Sequence, residues 1–444
     1  MPTPANWIPL RWPATWSDPA LLGLLEGAPF NCLAMEWSAA LAPVAAKARA
    51  AGLSLVAIGN EAARSAGAAA GLTPLPESLL IASDSVWPGI ASQAGGAESG
   101  PTANPWIDSN GWFLRLAKVR SPGKTVLLMF EPPGPPRVLS LESYLRAIAD
   151  SGAWGGRWVV SLDSDLRGGL ARGDSKALES WKAIAAAVAF FEQRRAWNGL
   201  EPLGVVGVVS DFAGPNETTS QEILNLMGRR SLAYRILEKS AAATASLDGF
   251  KALVYVDEGA PAPLLRSKLL GFANRGGLLV TGAGWKQPDA RPTGVDHPRV
   301  DVRRVGKGRI GIYKASPPDP FMVARDVHML LGRAYDVARF FNLSAFLSHC
   351  AASPDRTQEV VQIVSFAIRF PNDLATAWVP GKYASARLWS LGSASPSAVE
   401  MVAENGGASL LLPPVPVYAG IELERRSGGG FQPARGLSPA ASRV

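Results

Sequence analysis

The chain has 444 residues, which is enough for two to four domains with sizeable cores. With 47% hydrophobic and 18% charged residues it reads as globular, and a disordered chain is excluded. The formal net charge of +7 is scattered, with no Lys/Arg-rich run, so a generally basic surface is expected and a nucleic-acid partner is not.

From the start to about residue 200, strand-like and helix-like segments alternate. Phe30 to Met35 reads as a strand ending at Glu36-Trp37, and Ala39 to Ala51 as a helix stopped by Gly52. Leu53 to Ile58 is a strand ending Gly59-Asn60-Glu61, with a helix over Ala62 to Ala70. Leu79 to Ala82 is a strand running into Ser83-Asp84-Ser85-Val86-Trp87. A long loop from about Gly89 to Asn110 precedes a short helix over Trp112 to Val119. Thr125 to Phe130 is a strand ending at Glu131, Leu141 to Asp150 is helical, and Trp158 to Leu162 is a strand ending Asp163-Ser164-Asp165. Lys176 to Trp197 is the clearest helix, with Leu178, Trp181, Ile184, Val188 and Phe191 on one face, Asp174 to cap its start and Gly199 its end. Counting Trp7 to Arg11 as a possible sixth strand, this is a β/α series of the kind that closes into a barrel. A complete eight-stranded barrel needs about 250 residues, so short strands lie unrecognised or the barrel is reduced.

The middle of the chain reads more plainly. Continuous apolar strands at Gly204 to Val209, Ala233 to Leu237, Ala252 to Val256 and Leu278 to Val280 alternate with helical spacing at Thr219 to Arg230 and Pro263 to Arg275. That pattern means a parallel sheet covered on both faces, a flavodoxin-like domain. His297 to Val305 and Arg309 to Tyr313 form a hairpin around Gly306-Lys307-Gly308, and Asp319 to Leu331 is helical. From Asn342 on, short alternating strands (Val360 to Ile368, Ala375 to Val379, Ala386 to Leu391, Ser409 to Leu412, Val417 to Glu424) suggest an antiparallel β-sandwich. The expected organisation is an α/β multidomain chain: a (β/α) barrel-like domain over 1–200, a flavodoxin-like domain over 201–341, a small β-sandwich over 342–425 and a flexible tail over 426–444.

Cys32 and Cys350 are the only cysteines, and His297, His328 and His349 are scattered. A disulfide framework and a His- or Cys-based metal site are not expected, and neither is a cofactor. With no basic leader before an apolar core and no run of about 18 apolar residues, no signal peptide or membrane partner is expected and a cytoplasmic location is the default.

The polar residues of the first domain follow its strands. Glu36, Asn60, Glu61, Asp84, Glu131, Asp163 and Asp165 occupy strand-end positions, which in a β/α barrel meet at the face where active sites are built. Paired carboxylates there can act on a glycosidic bond. Trp37, Trp87 and Trp106 lie in the same loops, and eleven of the fourteen tryptophans precede residue 200, as suits stacking on sugar faces. Asp108 and Asn110 sit in a loop dense in donors and indoles. Each of these residues has a plainer reading too, since Asp, Asn and Glu after strands cap helices and Trp fills cores. Asn216-Glu217 lies in the middle domain's first loop and is set aside, and Gly204-x-x-Gly207 and Gly282-x-Gly284 are too sparse for a dinucleotide fingerprint.

Two stretches, Leu247-Asp248-Gly249-Phe250-Lys251-Ala252-Leu253-Val254-Tyr255-Val256 and Phe272-Ala273-Asn274-Arg275-Gly276-Gly277-Leu278-Leu279-Val280, together with Val305-Gly306-Lys307-Gly308-Arg309-Ile310, resemble the middle domain of bacterial β-galactosidases and related barrel glycosidases. Val417-Tyr418-Ala419-Gly420-Ile421-Glu422-Leu423 is similar to the closing strand of their sandwiches. The resemblance implies a catalytic barrel, then a glutamine-amidotransferase-like trimerisation domain without amidotransferase chemistry, then a β-sandwich. It implies a carbohydrate ligand and a homo-oligomer. Those enzymes place one catalytic Glu after strand four and another after strand seven. Glu131 matches the first as general acid/base, and Asp163 stands in for the second, with Glu36, Trp37, Asn60, Asp84, Trp87, Trp106, Asp108, Asn110 and Asp165 holding the sugar. The alternative is a non-catalytic carbohydrate-binding or assembly protein on a degenerate glycosidase scaffold.

Overall fold

The computed structural model describes residues 2–82, 87–90, 92–93, 96–97, 107–132, 139–285, 290–316, 318–367 and 374–426. Among the described residues, parallel strands of the first region are β1 (Pro9–Trp12), β2 (Cys32–Glu36), β3 (Ser54–Ile58), β4 (Leu79–Ala82), β5 (Thr125–Leu128) and β6 (Arg157–Trp158). β1 to β3 pair as one sheet and β4 to β6 as another. Leu10 bridges Val160 just beyond β6, and the Arg11 N–H donates to the Val160 carbonyl at 2.9 Å, which joins the two sheets into a partial ring. The stretch read as a possible sixth strand is therefore β1.

Among the described residues no ladder joins β3 to β4, so the ring is not a closed barrel. Thr73, in the loop between them, makes a single bridge to Val56 of β3.

Side-chain alternation in these strands sorts the first region. Cys32 and Ala34, Val56 and Ile58, Leu79, Leu127 and Val159 pack with Trp7 inside the ring. The other set, including Leu33, Met35, Leu55, Ala57, Val126 and Leu128, faces the helices. Those are α1 (Ala42–Ala50), α2 (Glu61–Ala69), α3 (Gly111–Arg120), α4 (Leu141–Gly152), α5 (Ser164–Ala171) and α6 (Ser175–Gln193). Asp174 caps α6 as expected, accepting from the Ala177 N–H at 3.0 Å. α4 and α6 approach closely at Gly152, where a Cβ would overlap the Phe191 ring.

The middle region is a seven-stranded sheet. Taking β7 as Glu201–Pro202, its strands are β8 (Val206–Ser210), β9 (Tyr234–Glu238), β10 (Ala252–Tyr255), β11 (Leu278–Thr281), β12 (Arg291–Pro292), β13 (Val300–Val305) and β14 (Gly308–Tyr313), in the order β9-β8-β10-β11-β14-β13-β12. The first five in that order are mutually parallel, and the hairpin at 306–308 turns β13 antiparallel. Strands β8, β10 and β11 are buried along their whole length, which is why they read as unbroken apolar runs. α7 (Glu217–Arg229) and α10 (Pro320–Leu331) cover Val206, Val208, Val254 and Val280 on one face. α8 (Lys239–Thr244) and α9 (Pro263–Asn274) cover Val209, Leu253 and Leu279 on the other.

The third region begins at β15 (Arg339–Phe341), three residues before the boundary read from sequence. It continues with β16 (Phe346–Ala352), β17 (Gln358–Ser365), β18 (Ala375–Pro380), β19 (Tyr383–Ser390), β20 (Ser397–Ala398), β21 (Glu400–Glu404), β22 (Gly407–Leu412) and β23 (Tyr418–Arg425). Two antiparallel sheets, β7-β16-β17-β23-β19-β20 and β15-β18-β22-β21, enclose one apolar core. β7 belongs to this sheet although it precedes the middle region, and a two-residue strand carries no periodicity to reveal that.

The first and third regions also share a core. Leu347, Val360, Val364, Phe366, Val417 and Tyr418 are buried with Phe190, Trp197 and Ile148 of the first region. Gln362 donates to the Ala153 carbonyl at 3.0 Å, and Arg146 to that of Ser365 at 3.0 Å. Among the described residues no helix is long and apolar enough to cross a membrane. The tail beyond 426 lies outside the described residues.

Candidate functional site

Arg11 stands at the end of β1 with a carboxylate on either side. Its Nη1 pairs with Glu131, and its Nη2 lies 3.9 Å from Glu36, the last residue of β2. With Pro9–Trp12 counted in the ring, Glu131 follows the fifth strand, β5, and not the fourth as the resemblance implied. Three strand ends, distant in sequence, thus meet around one guanidinium. The Arg11 side chain is 20% exposed, that of Glu36 48% and that of Glu131 69%. Solvent-facing pairs of this kind add little to stability. Their interest is position: two reachable carboxylates on the strand-end face, oriented by a half-buried cation.

Asp163 is engaged differently. Its Oδ1 accepts from the Asp165 and Leu166 N–H groups at 2.8 and 2.9 Å, capping α5. Its Oδ2 accepts from the Tyr144 hydroxyl at 2.8 Å, and the same hydroxyl accepts from the Asp163 N–H at 2.8 Å. With both oxygens used and the residue buried, Asp163 is a capping and positioning group here. Asp163 was expected as the nucleophile or water-activating base; its strand end is also a helix start, and the helix takes one of its oxygens.

Tyr144 connects this cap to an aromatic cluster. Trp87 meets Tyr144 and Trp158 edge-on, with ring centroids 5.6 and 5.0 Å apart. The indole nitrogens of Trp87 and Trp158 are buried without a hydrogen-bond partner among the described residues. Trp37 and Trp87 are half-buried and pack on the first region's core, so each offers at most part of a face to a ligand.

The other expected ligand groups separate. Asn60 caps α2, accepting from the Ala63 N–H at 2.9 Å. Asp165 lies exposed in the first turn of α5. Asn110 is buried and donates its backbone N–H and Nδ2 to Asp150 at 2.8 and 3.1 Å. Ser109 donates to the other Asp150 oxygen at 2.5 Å. Asp108 turns toward Glu222 and Arg229 of the middle region; burial raises its pKa and the Arg229 charge partly offsets this. Asp84 and Trp106 lie outside the described residues.

Arg11 and Tyr144 join the candidate residues, and sequence reading passes over both. Arg11 ends the same stretch that was read as a possible sixth strand, so the strand-end rule applied to that stretch would have found it. Tyr144 sits mid-helix and carries no comparable signal. Burial pushes the Cys32 and Cys350 thiols up to about 12, so neither serves as a nucleophile near neutral pH. Among the described residues no three His, Cys, Asp or Glu side chains gather as a metal-holding group.

No family model matches the chain, and no curated protein matches it. Among solved structures it is similar to alpha-L-fucosidase isoenzyme 2 from Paenibacillus thiaminolyticus, with 10% identity and a TM-score of 0.54, over 93% of this chain and 81% of that one. It is also similar to a GH42 beta-galactosidase from G. stearothermophilus (11% identity, TM-score 0.41, 74% of this chain and 63% of that one). A third is an exo-carrageenase GH42 from Bacteroides ovatus (11% identity, TM-score 0.42, 72% and 45%). The first likeness shows a fold shared with a glycoside hydrolase.

Proposed function

We propose that this chain, with a fold shared with a glycoside hydrolase, acts on a carbohydrate at the strand-end face around Arg11. The observation that carries the reading is the meeting of Glu36 and Glu131 on one guanidinium from three separate strand ends. Cleavage of a glycosidic bond needs one carboxyl group to transfer a proton to the leaving oxygen and a second to attack or to activate water. Glu131 takes the proton-transfer role. Glu36 takes the second role in place of Asp163, whose oxygens are held by α5 and Tyr144. Arg11 positions both, and Trp37 and Trp87 offer partial apolar faces for the sugar ring. The middle region is read as flavodoxin-like on its strand order, and as the contact between subunits of a homo-oligomer by analogy with the galactosidases. Light scattering at micromolar concentration checks that role, and a monomer would remove it.

Glu131→Gln keeps the side-chain shape and removes the proton transfer. Against a panel of aryl glycosides it is expected to lower turnover by about 10²–10⁴-fold while the melting curve stays unchanged. Equal turnover in wild type and variant would refute the assignment. The open ring and the committed Asp163 favour one second reading, a carbohydrate-binding protein without hydrolysis. That reading holds if wild type cleaves no glycoside in the panel yet binds sugars with an affinity that Arg11→Met or Trp87→Ala weakens.

A further inference from the structure

A cavity of about 350 Å³ lies where the three regions meet, remote from Arg11 in the chain and built from other elements. Arg115 and Lys118 enter it from α3, Arg235 from β9, His349 from β16, and Trp154 and Asn198 from the turns after α4 and α6. Its lining carries two arginines and a lysine and no Asp or Glu.

The two arginines are held in place. The Arg115 guanidinium donates to the Tyr234 carbonyl and lies 3.7 Å from the centre of the Tyr234 ring. Arg235 stacks over Phe250 at 3.7 Å, and its Nε is buried with no hydrogen-bond partner among the described residues. Lys118 makes no ion pair among the described residues. Burial and the neighbouring Arg115 charge lower its pKa. The Lys118 amine and the Asn198 side chain come together over Gly155, which has φ of 75° and where a Cβ would overlap the amine. Behind them the Trp154 and His349 rings lie 4.7 Å apart. Burial, with the Arg115 and Lys118 charges, holds the imidazole well below its ordinary value, so it is neutral near pH 7. Holding like charges together away from water is costly; Arg235 has the Glu201 carboxylate nearby, while Arg115 and Lys118 face no carboxylate in the cavity wall. The volume is at the small end of the range for ligand pockets.

We propose that this junction cavity binds a small oxyanion-bearing molecule of about monosaccharide size, a phosphate ester or a carboxylate. The anion sits between Lys118, Arg235 and Arg115, with its apolar part against Trp154. The ligand would tie the first region to the middle one, since Lys118, Arg115 and Trp154 come from one and Arg235 from the other. This site does not depend on any glycosidase activity at Glu131.

The test uses the full chain at low salt, with thermal shift and calorimetry against inorganic phosphate, glucose 6-phosphate, glucuronate and glucose. Phosphate or the phosphate ester is expected to raise the melting temperature, glucose is not, and a response to glucuronate alone identifies the carboxylate source. Lys118→Met and Arg235→Gln are each expected to weaken binding at least tenfold. Without anion, Lys118→Met is expected to be as stable as wild type or more so, because a like-charge contact is gone. The proposal is overturned if no anion binds at millimolar concentration, if both variants bind as wild type does, or if Lys118→Met melts lower in the absence of anion.

Discussion

Asp150→Asn separates charge from shape at a fully buried carboxyl group. Asp150 lies on α4 with no exposed surface and accepts three hydrogen bonds, from Ser109 and from the backbone and side chain of Asn110. Burial pushes its pKa from 3.8 up to about 6, although those hydrogen bonds pull the other way. The folded state therefore holds the proton more tightly than the unfolded chain does. The group's contribution to stability is fully present below 3.8, falls as pH rises and is lost above about 6. A shift of this size corresponds to about 3 kcal/mol in all, of which about 2 kcal/mol falls between pH 4 and pH 7. Asn cannot titrate, and Ser109 can turn its hydroxyl to accept from the new amide. Urea unfolding of both proteins across that range should show the difference, wild type minus variant, moving against wild type by about 2 kcal/mol. A difference that stays flat with pH would refute burial as the dominant influence on Asp150.

Gly152→Ala should destabilise the protein by about 1–3 kcal/mol, because the added methyl overlaps the Phe191 ring between α4 and α6. An unchanged urea midpoint would show that the two helices have room to part. Tyr144→Phe leaves the buried Asp163 N–H and Oδ2 without a partner, at an expected cost of about 1–3 kcal/mol. A variant as stable as wild type would refute the cost assigned to the lost hydroxyl.

How far the fold could be read depends on how much each element's own residues determine it. The middle sheet was legible because Val206, Val208, Leu253, Val254, Leu279 and Val280 are buried on both faces, and only such strands are apolar throughout. The strand pairing that closes or opens the first ring was not legible. It depends on which strand lies beside β3, and Val56 with Thr73 carries no pattern that says so. Around Arg11, the structure brings together Glu36 and Glu131, two of the carboxylates that the strand-end rule singles out. Asn60 and Asp163 were found by the same rule but serve as caps. A residue after a strand is often also the residue before a helix, and an oxygen suited to a ligand is equally suited to the first N–H groups of a helix. Asn110 looked like a ligand group because its partner, Asp150, is forty residues away. Arg11 was passed over because an Arg in a short strand reads as a solvent-facing residue until neighbouring strands bring carboxylates to it.

The sharing of a core between the first region and β16, β17 and β23 has a consequence for how the protein is made. Phe190 and Trp197 leave the ribosome about 220 residues before Tyr418, which packs against Phe190 with ring centroids 5.6 Å apart. At about 5–20 residues per second that interval is roughly 10–40 s. Throughout it the nascent ring carries an apolar face whose cover has not been synthesised. Such a face invites aggregation or chaperone capture. The part of the protein translated first is therefore among the last to be completed, and a ribosome that stalls beyond the middle region holds out a chain with its apolar flank still bare.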